Sequence, residues 1–200
     1  TFALHSDTEI QNTLRSLTIS QEIWALQSIT ERSAQILKIA ISLRKNKEEL
    51  SRLISIEMGK PLKDGAAEVE KCANLIEYFS ASSETLLSDE KLETDYKKSY
   101  ITFQPLGIIL SVMPWNYPFW QVFRFSIPSL IAGNGVITKH APNVPQCARM
   151  IEKIFESEKI PYRNIFANEG QIKKLIPRRE ISGISFTGSV AAGKTLAAIA

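Results

Sequence analysis

The chain has 200 residues, 44% of them hydrophobic and 22% charged, which is the composition of a globular protein of one domain or two small ones, not of a disordered chain. Its net charge of +3 is small and dispersed along the sequence, so nucleic acid is not expected as a partner. Its two cysteines are too few for a disulfide framework and lack the spacing of metal ligands, so we expect a reducing, cytoplasmic setting and no metal site.

Residues 1–87 are predicted to form a helical region. Apolar residues recur at helical intervals after Thr18 and Gln21, which have the spacing of a capping box, so a first helix is predicted from there. Asn46 is the expected cap of a second helix, and a third helix is expected to begin near Asp64. The apolar stripes of these helices are expected to form core, not a site.

From residue 88 onward the pattern changes to short apolar runs separated by turn residues. Tyr100, Ile101 and Phe103 suggest a strand, and three further strands alternate with helices after it. These strands are predicted at 108–112, 136–138 and 181–187, and the helices at 119–131, 145–155 and 190–199. The alternation indicates an α/β fold with a parallel sheet of the nucleotide-binding kind.

A stretch almost without charge lies in the middle of the chain. Residues 99–138 contain one ionisable charge, Arg124, where the chain average would give about nine. Prolines that interrupt the stretch exclude a single membrane-spanning helix; they are Pro105, Pro114, Pro118 and Pro128. We therefore expect a buried core or the lining of a ligand site, and no membrane partner. The first ten residues lack an apolar signal core, so no secretion signal is expected.

A glycine-rich segment, 188–195, has the P-loop pattern. Gly188 and Gly193 are followed by Lys194 and Thr195, with a predicted strand before them and a helix after. A P-loop binds phosphates through backbone amides and magnesium through its hydroxyl, which leaves a nucleotide hydrolase as one interpretation. A second is an anion site at the N-terminus of a helix that Ser189 caps, and a third is a capped helix with no ligand.

The turn 114–118 follows the first buried strand. Ligands of open α/β sheets bind beyond the carboxyl ends of the strands, so the Asn116 amide could donate a hydrogen bond to a developing oxyanion. The other interpretation is a turn asparagine that hydrogen-bonds its own backbone, and spacing alone favours it.

Four segments resemble the aldehyde dehydrogenase superfamily and occur in that family's order. They are EMGKPL (57–62), ETDYKKSYITFQPLG (93–107), the central segment 105–139 and SFTGSVAAG (185–193). Within the family, PFWQVFRF (118–125) and KHAPNVPQCA (139–148) are most similar to bacterial succinate-semialdehyde dehydrogenases.

The resemblance implies the N-terminal part of an NAD(P)-binding domain. Helices would occupy 1–87, a β-hairpin arm directed toward the oligomerisation region would occupy 88–104, and a Rossmann-like βαβ cofactor-binding core would occupy 105–200. It further implies that the C-terminal catalytic domain is absent from this chain, and that the full-length enzyme is a homo-oligomer, a dimer or a tetramer.

The resemblance also implies roles for individual residues. Asn116 would be the catalytic oxyanion-hole residue, Trp115 would lie beside the cofactor pyrophosphate, and Lys139 would bind the adenosine ribose. Gly188 and Ser189 would bind the cofactor phosphates, and Arg124 and Trp120 would bind the substrate. A guanidinium suits a substrate carboxylate, although Arg124 could equally form an internal salt bridge or be a surface cation.

Three departures from the family pattern matter. Pro142 replaces the glutamate with which NAD-preferring members grip the ribose hydroxyls, so the cofactor is NADP or NAD, with NADP tolerated or preferred. The segment 166–176 is a few residues short and is expected to lack much of a strand and a glycine turn. The family's nucleophilic cysteine and general-base glutamate would lie beyond residue 200, and Cys72 and Cys147 are expected to be inert core thiols.

The function implied is the NAD(P)-dependent oxidation of an aldehyde, succinate semialdehyde in particular, to the carboxylic acid through a thiohemiacetal. The 200 residues alone are expected to be inactive. The alternatives are a P-loop nucleotide hydrolase that uses 188–195 and a catalytically inactive binding or interaction fragment.

Overall fold

A computed structural model describes residues 2–200 of the chain. The helices of its first part are α1 (Asp7–Ala25), α2 (Ile29–Lys45), α3 (Lys47–Met58) and α4 (Leu62–Leu86). A short antiparallel hairpin follows, formed by β1 (Glu90–Lys91) and β2 (Tyr100–Ile101). Strands and helices then alternate as β3 (Ile108–Met113), α5 (Trp120–Ile131), β4 (Gly135–His140), α6 (Pro145–Ser157), β5 (Tyr162–Ile165), α7 (Glu169–Leu175), β6 (Ile181–Phe186) and α8 (Val190–Ala197).

The first two helices begin at capping boxes other than the predicted one. Ser6 starts α1 and Ser28 starts α2, each accepting a hydrogen bond from the amide of the glutamate three residues later. The predicted start at Thr18 is wrong, because Thr18 lies inside α1 and its hydroxyl donates to the Leu14 carbonyl oxygen (3.0 Å). The one helix predicted across this region is therefore two.

The predicted second and third helices are confirmed as α3 and α4. Gly59 ends α3 with a left-handed backbone (φ 80°), a conformation that glycine adopts without steric cost, and α4 begins at Leu62, close to the predicted start. Asn46 occupies the N-cap position of α3 but does not cap it, because its side-chain amide donates to the Ser42 carbonyl oxygen (2.8 Å).

The last four strands form a parallel sheet in the order β5–β4–β3–β6, which confirms the predicted fold class. The sheet has one strand more than predicted. β5 pairs with β4 from Tyr162 to Ile165, so the expected loss of a strand near 166–176 is wrong, and that segment contains α7. The polar residues Arg163 and Asn164 interrupt the apolar run of β5 and conceal it from a pattern search.

Buried apolar side chains form one cluster on each face of the sheet. Val136 belongs to one cluster and Ile137 to the other, because successive side chains of a strand point to opposite faces. Helices α2 to α6 pack on the first face and α1 and α7 on the second. The uncharged stretch is explained by this arrangement, since β3, β4 and one side of α5 lie in the interior. No helix within residues 2–200 has the length and apolarity needed to cross a membrane.

The hairpin is smaller than predicted. β2 contains only Tyr100 and Ile101, and Phe103 lies outside it. All three side chains are exposed, as is Tyr96 at the tip of the hairpin, which is 82% exposed.

Candidate functional site

The strand order creates a crevice between β3 and β6. The chain leaves β3 toward β4 on one side, whereas β6 lies on the other side of β3, so the strand order reverses at this pair. Ligands of open parallel sheets bind beyond the carboxyl ends of the strands at such a reversal. The turn 114–119 follows β3, and Gly188 and Ser189 follow β6. The Thr187 amide donates to the Val112 carbonyl oxygen (3.1 Å), which keeps the two strand ends together.

Trp115 and Asn116 are exposed in the turn 114–119. Trp115 is 49% exposed, and the hydrogen bonds found within residues 2–200 include none to the Asn116 side chain. Asn116 therefore does not make the hydrogen bond to its own backbone that the other interpretation requires. The N–H groups of this amide are free to donate to a ligand oxygen.

His140 holds this turn from inside the protein, a role that the sequence did not reveal. It ends β4 and is 5% exposed. Its Nδ1 accepts a hydrogen bond from the Ala141 amide (2.8 Å), which places the proton on Nε2, and Nε2 donates to the Pro118 carbonyl oxygen (2.8 Å). Burial lowers the pKa of His140 to about 4, so the ring is neutral at pH 7.

A cavity of about 510 Å³ lies beyond the ends of β4 and β5. It is lined by Lys139 and Pro142, which were predicted to contact the cofactor, and by Glu57, Gln146 and Phe166 among others. Lys139 is half-buried, and burial lowers the pKa of its ammonium against the weaker opposing effect of Glu169. Lys139 pairs in register with Val112 of β3, so the cavity adjoins the crevice.

Glu57 is a second residue that the sequence did not assign to the site. Its carboxylate accepts hydrogen bonds from the amides of Gln146 (2.9 Å) and Cys147 (2.8 Å) and thereby caps α6. Glu57 begins the EMGKPL segment, which contributed to the resemblance without suggesting a physical role. The cavity therefore contains a carboxylate although Pro142 does not supply one, and the helix amides offset its charge.

The glycine-rich segment does not form a P-loop. Helix α8 begins at Val190, so Lys194 and Thr195 lie inside the helix and no loop remains to surround a phosphate. The Thr195 hydroxyl donates to the Ala191 carbonyl oxygen (3.1 Å) and not to a metal-bound group. The nucleotide-hydrolase alternative is wrong for this geometry.

Packing explains the two glycines of that segment. A Cβ atom on Gly188 would lie 2.5 Å from the Phe186 ring, and one on Gly193 would lie 3.2 Å from it. Ser189 caps α8 by accepting a hydrogen bond from the Ala192 amide (3.3 Å). The helix N-terminus is exposed at the crevice, where its dipole favours an anion.

Trp120 and Arg124 lie one turn apart near the start of α5 and share a helix face. Trp120 is partly buried, and the Lys71 ammonium lies 3.9 Å from its ring centroid. Arg124 is exposed and forms no salt bridge within residues 2–200. The internal salt bridge considered for it is therefore absent from the described part of the chain.

Both cysteines are buried and are not part of the crevice. Burial raises the pKa of both thiols. The negative charge of Glu68 raises the pKa of Cys72 further, and that of Glu57 raises the pKa of Cys147 further. No group of three or more His, Cys, Asp or Glu side chains within residues 2–200 could hold a metal ion.

The comparisons with known proteins agree on one family. The model of the aldehyde dehydrogenase family matches residues 1–200. A probable succinate-semialdehyde dehydrogenase (NADP+) of Synechocystis sp. is 37% identical over 203 residues, which cover 100% of this chain and 45% of the relative. The Escherichia coli succinate semialdehyde dehydrogenase (NAD(P)+) Sad is 36% identical over 193 residues, covering 95% of this chain and 42% of the relative.

The fold is likewise that of known structures. The crystal structure of succinic semialdehyde dehydrogenase from Streptococcus pyogenes in complex with NADP+ matches with a TM-score of 0.95 and 28% identity, over 100% of this chain and 45% of that one. The chain thus spans less than half the length of the relatives it matches.

Proposed function

This chain belongs to the aldehyde dehydrogenase family, and we propose that it is the cofactor-binding part of an NADP-dependent succinate-semialdehyde dehydrogenase. The reaction takes succinate semialdehyde, water and NADP+ to succinate, NADPH and two protons, with NAD+ as the other cofactor. The observation that carries the proposal is the unpartnered Asn116 amide beyond β3, which faces the same crevice edge as the exposed N-terminus of α8. The descriptions of the relatives support the substrate and the cofactor.

The residues along the sheet edge fit a dinucleotide. The exposed start of α8 after Gly188 and Ser189 suits a pyrophosphate, with Trp115 on the opposite strand end. Lys139 forms no salt bridge within the described part of the chain, so its half-buried ammonium is available to a ribose hydroxyl beside Pro142. When bound, the cofactor supplies the hydride acceptor.

Asn116 would act on the substrate oxygen. A thiolate that attacks the aldehyde carbon converts the carbonyl oxygen to the oxyanion of a thiohemiacetal. The free N–H groups of the Asn116 amide would donate to that oxygen, and they stabilise it most when its negative charge is fully developed.

The thiolate itself has no source among these 200 residues. Cys72 and Cys147 are buried thiols with raised pKa values, so neither presents a nucleophile at neutral pH. NADPH formation on addition of succinate semialdehyde tests the proposal: we expect turnover by the full-length enzyme and none by the 200-residue chain. Turnover by a preparation of verified 200-residue mass, or a full-length enzyme that does not reduce NADP+, would contradict it.

Arg124 would bind the carboxylate of the substrate. We expect Arg124→Met to lower kcat/KM for succinate semialdehyde by about 10- to 100-fold, as for the loss of one charge-assisted hydrogen-bonding group. Butanal, which has the same chain length without the carboxylate, should be affected less than about threefold. Arg52→Met is the matched control, because Arg52 is an exposed helix arginine paired with Glu48 on α3. Equal losses for both aldehydes would contradict the assignment.

The cofactor preference depends on Pro142. Because this position lacks a carboxylate, we expect NADP+ to bind at least as tightly as NAD+, as measured by titration of each cofactor. Pro142→Glu should weaken NADP+ binding by about tenfold or more through repulsion of the 2′-phosphate, while leaving NAD+ binding little changed. Pro142→Ala is the control for loss of the ring alone. A wild-type affinity for NAD+ far above that for NADP+ would overturn this prediction.

The hairpin supplies the contact for assembly in this proposal. Its short strands β1 and β2 extend exposed aromatic residues, Tyr96 and Tyr100 among them. Exposed aromatic side chains are typical of interfaces, so we propose that 88–104 contacts a partner subunit in a homo-oligomer.

A further inference from the structure

A buried ion pair lies directly behind the turn that carries Asn116. The Lys60 ammonium donates to Glu68 Oε2 (2.5 Å), and the two side chains are 8% and 1% exposed. Burying two charges costs free energy that their attraction offsets only when the remaining hydrogen-bonding capacity of each is satisfied. The other contacts of the pair therefore show what it does in this fold.

The second carboxylate oxygen of Glu68 binds the start of α5. Oε1 accepts hydrogen bonds from the amides of Phe119 (2.9 Å) and Trp120 (3.0 Å). These are among the first amides of α5, which have no acceptor within the helix, and Phe119 offers no side-chain cap of its own. A residue of α4 thus fixes where α5 begins.

Lys60 contacts the same turn from its other side. Its ammonium lies 3.6 Å from the centroid of the Tyr117 ring, a cation–π contact. Lys60 follows Gly59, whose left-handed backbone turns the chain between α3 and α4. One ammonium therefore joins the Glu68 carboxylate to the residue next to Asn116.

The turn is consequently held at both of its ends and at Tyr117 and Pro118, the residues that directly follow Asn116. β3 anchors its beginning, the Lys60 ammonium contacts Tyr117, His140 binds the Pro118 carbonyl oxygen, and Glu68 anchors the start of α5. The Asn116 side chain itself forms no hydrogen bond within residues 2–200.

We propose that Glu68 is a positioning residue for Asn116: its carboxylate, oriented by Lys60, sets the start of α5 and so the placement of the oxyanion-binding amide. The proposal rests on the function proposed above. Catalytic groups lose about 100-fold in rate when misplaced by about 1 Å, so a distant carboxylate that defines the turn affects turnover without touching substrate.

Two charge-free double variants test this with matched chemistry. Lys60→Met/Glu68→Gln keeps an acceptor for the α5 amides, whereas Lys60→Met/Glu68→Leu removes it; neither leaves an unpaired buried charge, so both should fold. Hydrogen exchange of the peptide 114–121 is measured in each, with α1 and β5 as internal references. We expect exchange to rise about tenfold or more in the leucine variant, in this peptide only, and to rise much less in the glutamine variant, which retains an acceptor for the α5 amides.

Kinetics of the full-length enzyme provide the second measurement. The leucine variant should lose about 10- to 100-fold in kcat with a smaller change in KM, and adding Asn116→Ala to it should cost far less than in the wild type. The glutamine variant should lose much less kcat than the leucine variant, because it keeps an acceptor for the α5 amides. Glu48→Gln, which breaks the exposed Arg52–Glu48 pair on α3, should change neither measurement.

The outcomes separate the two proposals. Exchange that rises uniformly along the chain, or equal exchange in the glutamine and leucine variants, would show that Glu68 does not position the turn. If the losses in kcat from Asn116→Ala and from the leucine variant multiply, as they do for independent sites, then Glu68 does not act through Asn116. A wild-type enzyme that oxidises no aldehyde would refute the proposed function, and the exchange measurement would still decide whether Glu68 holds the turn.

Discussion

Replacing Asn116 by alanine is expected to lower kcat of the full-length enzyme by about 100- to 1000-fold, or about 3–4 kcal/mol of transition-state stabilisation. The reason is geometric. The amide is exposed at the carboxyl end of β3 and forms no hydrogen bond within residues 2–200, so it can donate fully to a substrate oxygen. Folding does not require it, since no structural partner loses a bond on truncation.

Steady-state kinetics with succinate semialdehyde measure this effect, and a cofactor titration accompanies them. We expect NADP+ affinity and the free energy of unfolding to stay near wild type, so that the loss lies in the chemical step. Asn12→Ala, at an exposed position on α1, is the matched control and should leave kcat unchanged. A kcat within about threefold of wild type would remove Asn116 from the oxyanion site.

Acidification from pH 6.5 to 4 is expected to remove about 3 kcal/mol of folding stability through His140 alone. The pKa of His140 is about 4 in the folded chain, against the ordinary histidine value of 6.5 in the unfolded chain, because burial disfavours the charged ring. The unfolded state therefore binds a proton first as pH falls. The stabilisation is complete above pH 6.5, decreases below it, and is lost once pH reaches about 4.

Unfolding by urea at a series of pH values, for wild type and His140→Gln, isolates this contribution. Carboxylates titrate in the same range, so the measured quantity is the difference between the two pH profiles and not either profile alone. We expect the stability advantage of wild type over His140→Gln to disappear on acidification. Parallel profiles for wild type and His140→Gln would show that the buried ring does not control acid stability.

The regular parts of the fold were predictable because their patterns are local. The apolar runs of β3 and β4 and the helical periodicity of α3 and α4 need no distant partner to be recognised. β5 was not predictable, because Arg163 and Asn164 remove its apolar run and its pairing with β4 stabilises it instead. The break between α1 and α2 depended on choosing Ser28 over Thr18 as a cap, and both have a plausible local sequence.

Some residues of the candidate site were likewise predictable from the sequence and others were not. The end-of-strand rule placed Asn116 and Ser189 at one sheet edge from topology alone. His140, Glu57 and Glu68 were missed because each binds a backbone group that lies between 22 and 90 residues away in sequence, and no short pattern encodes such contacts. The P-loop pattern misled for the opposite reason, since local packing against Phe186 accounts for both glycines and no P-loop forms around them.

We propose above that this chain binds a nicotinamide dinucleotide at the crevice between β3 and β6. Isothermal titration calorimetry of the folded 200-residue chain with NADP+, at two temperatures, tests it most directly. We predict saturable binding of one NADP+ per chain. A folded chain that shows no saturable heat at either temperature would show that the crevice does not bind the cofactor.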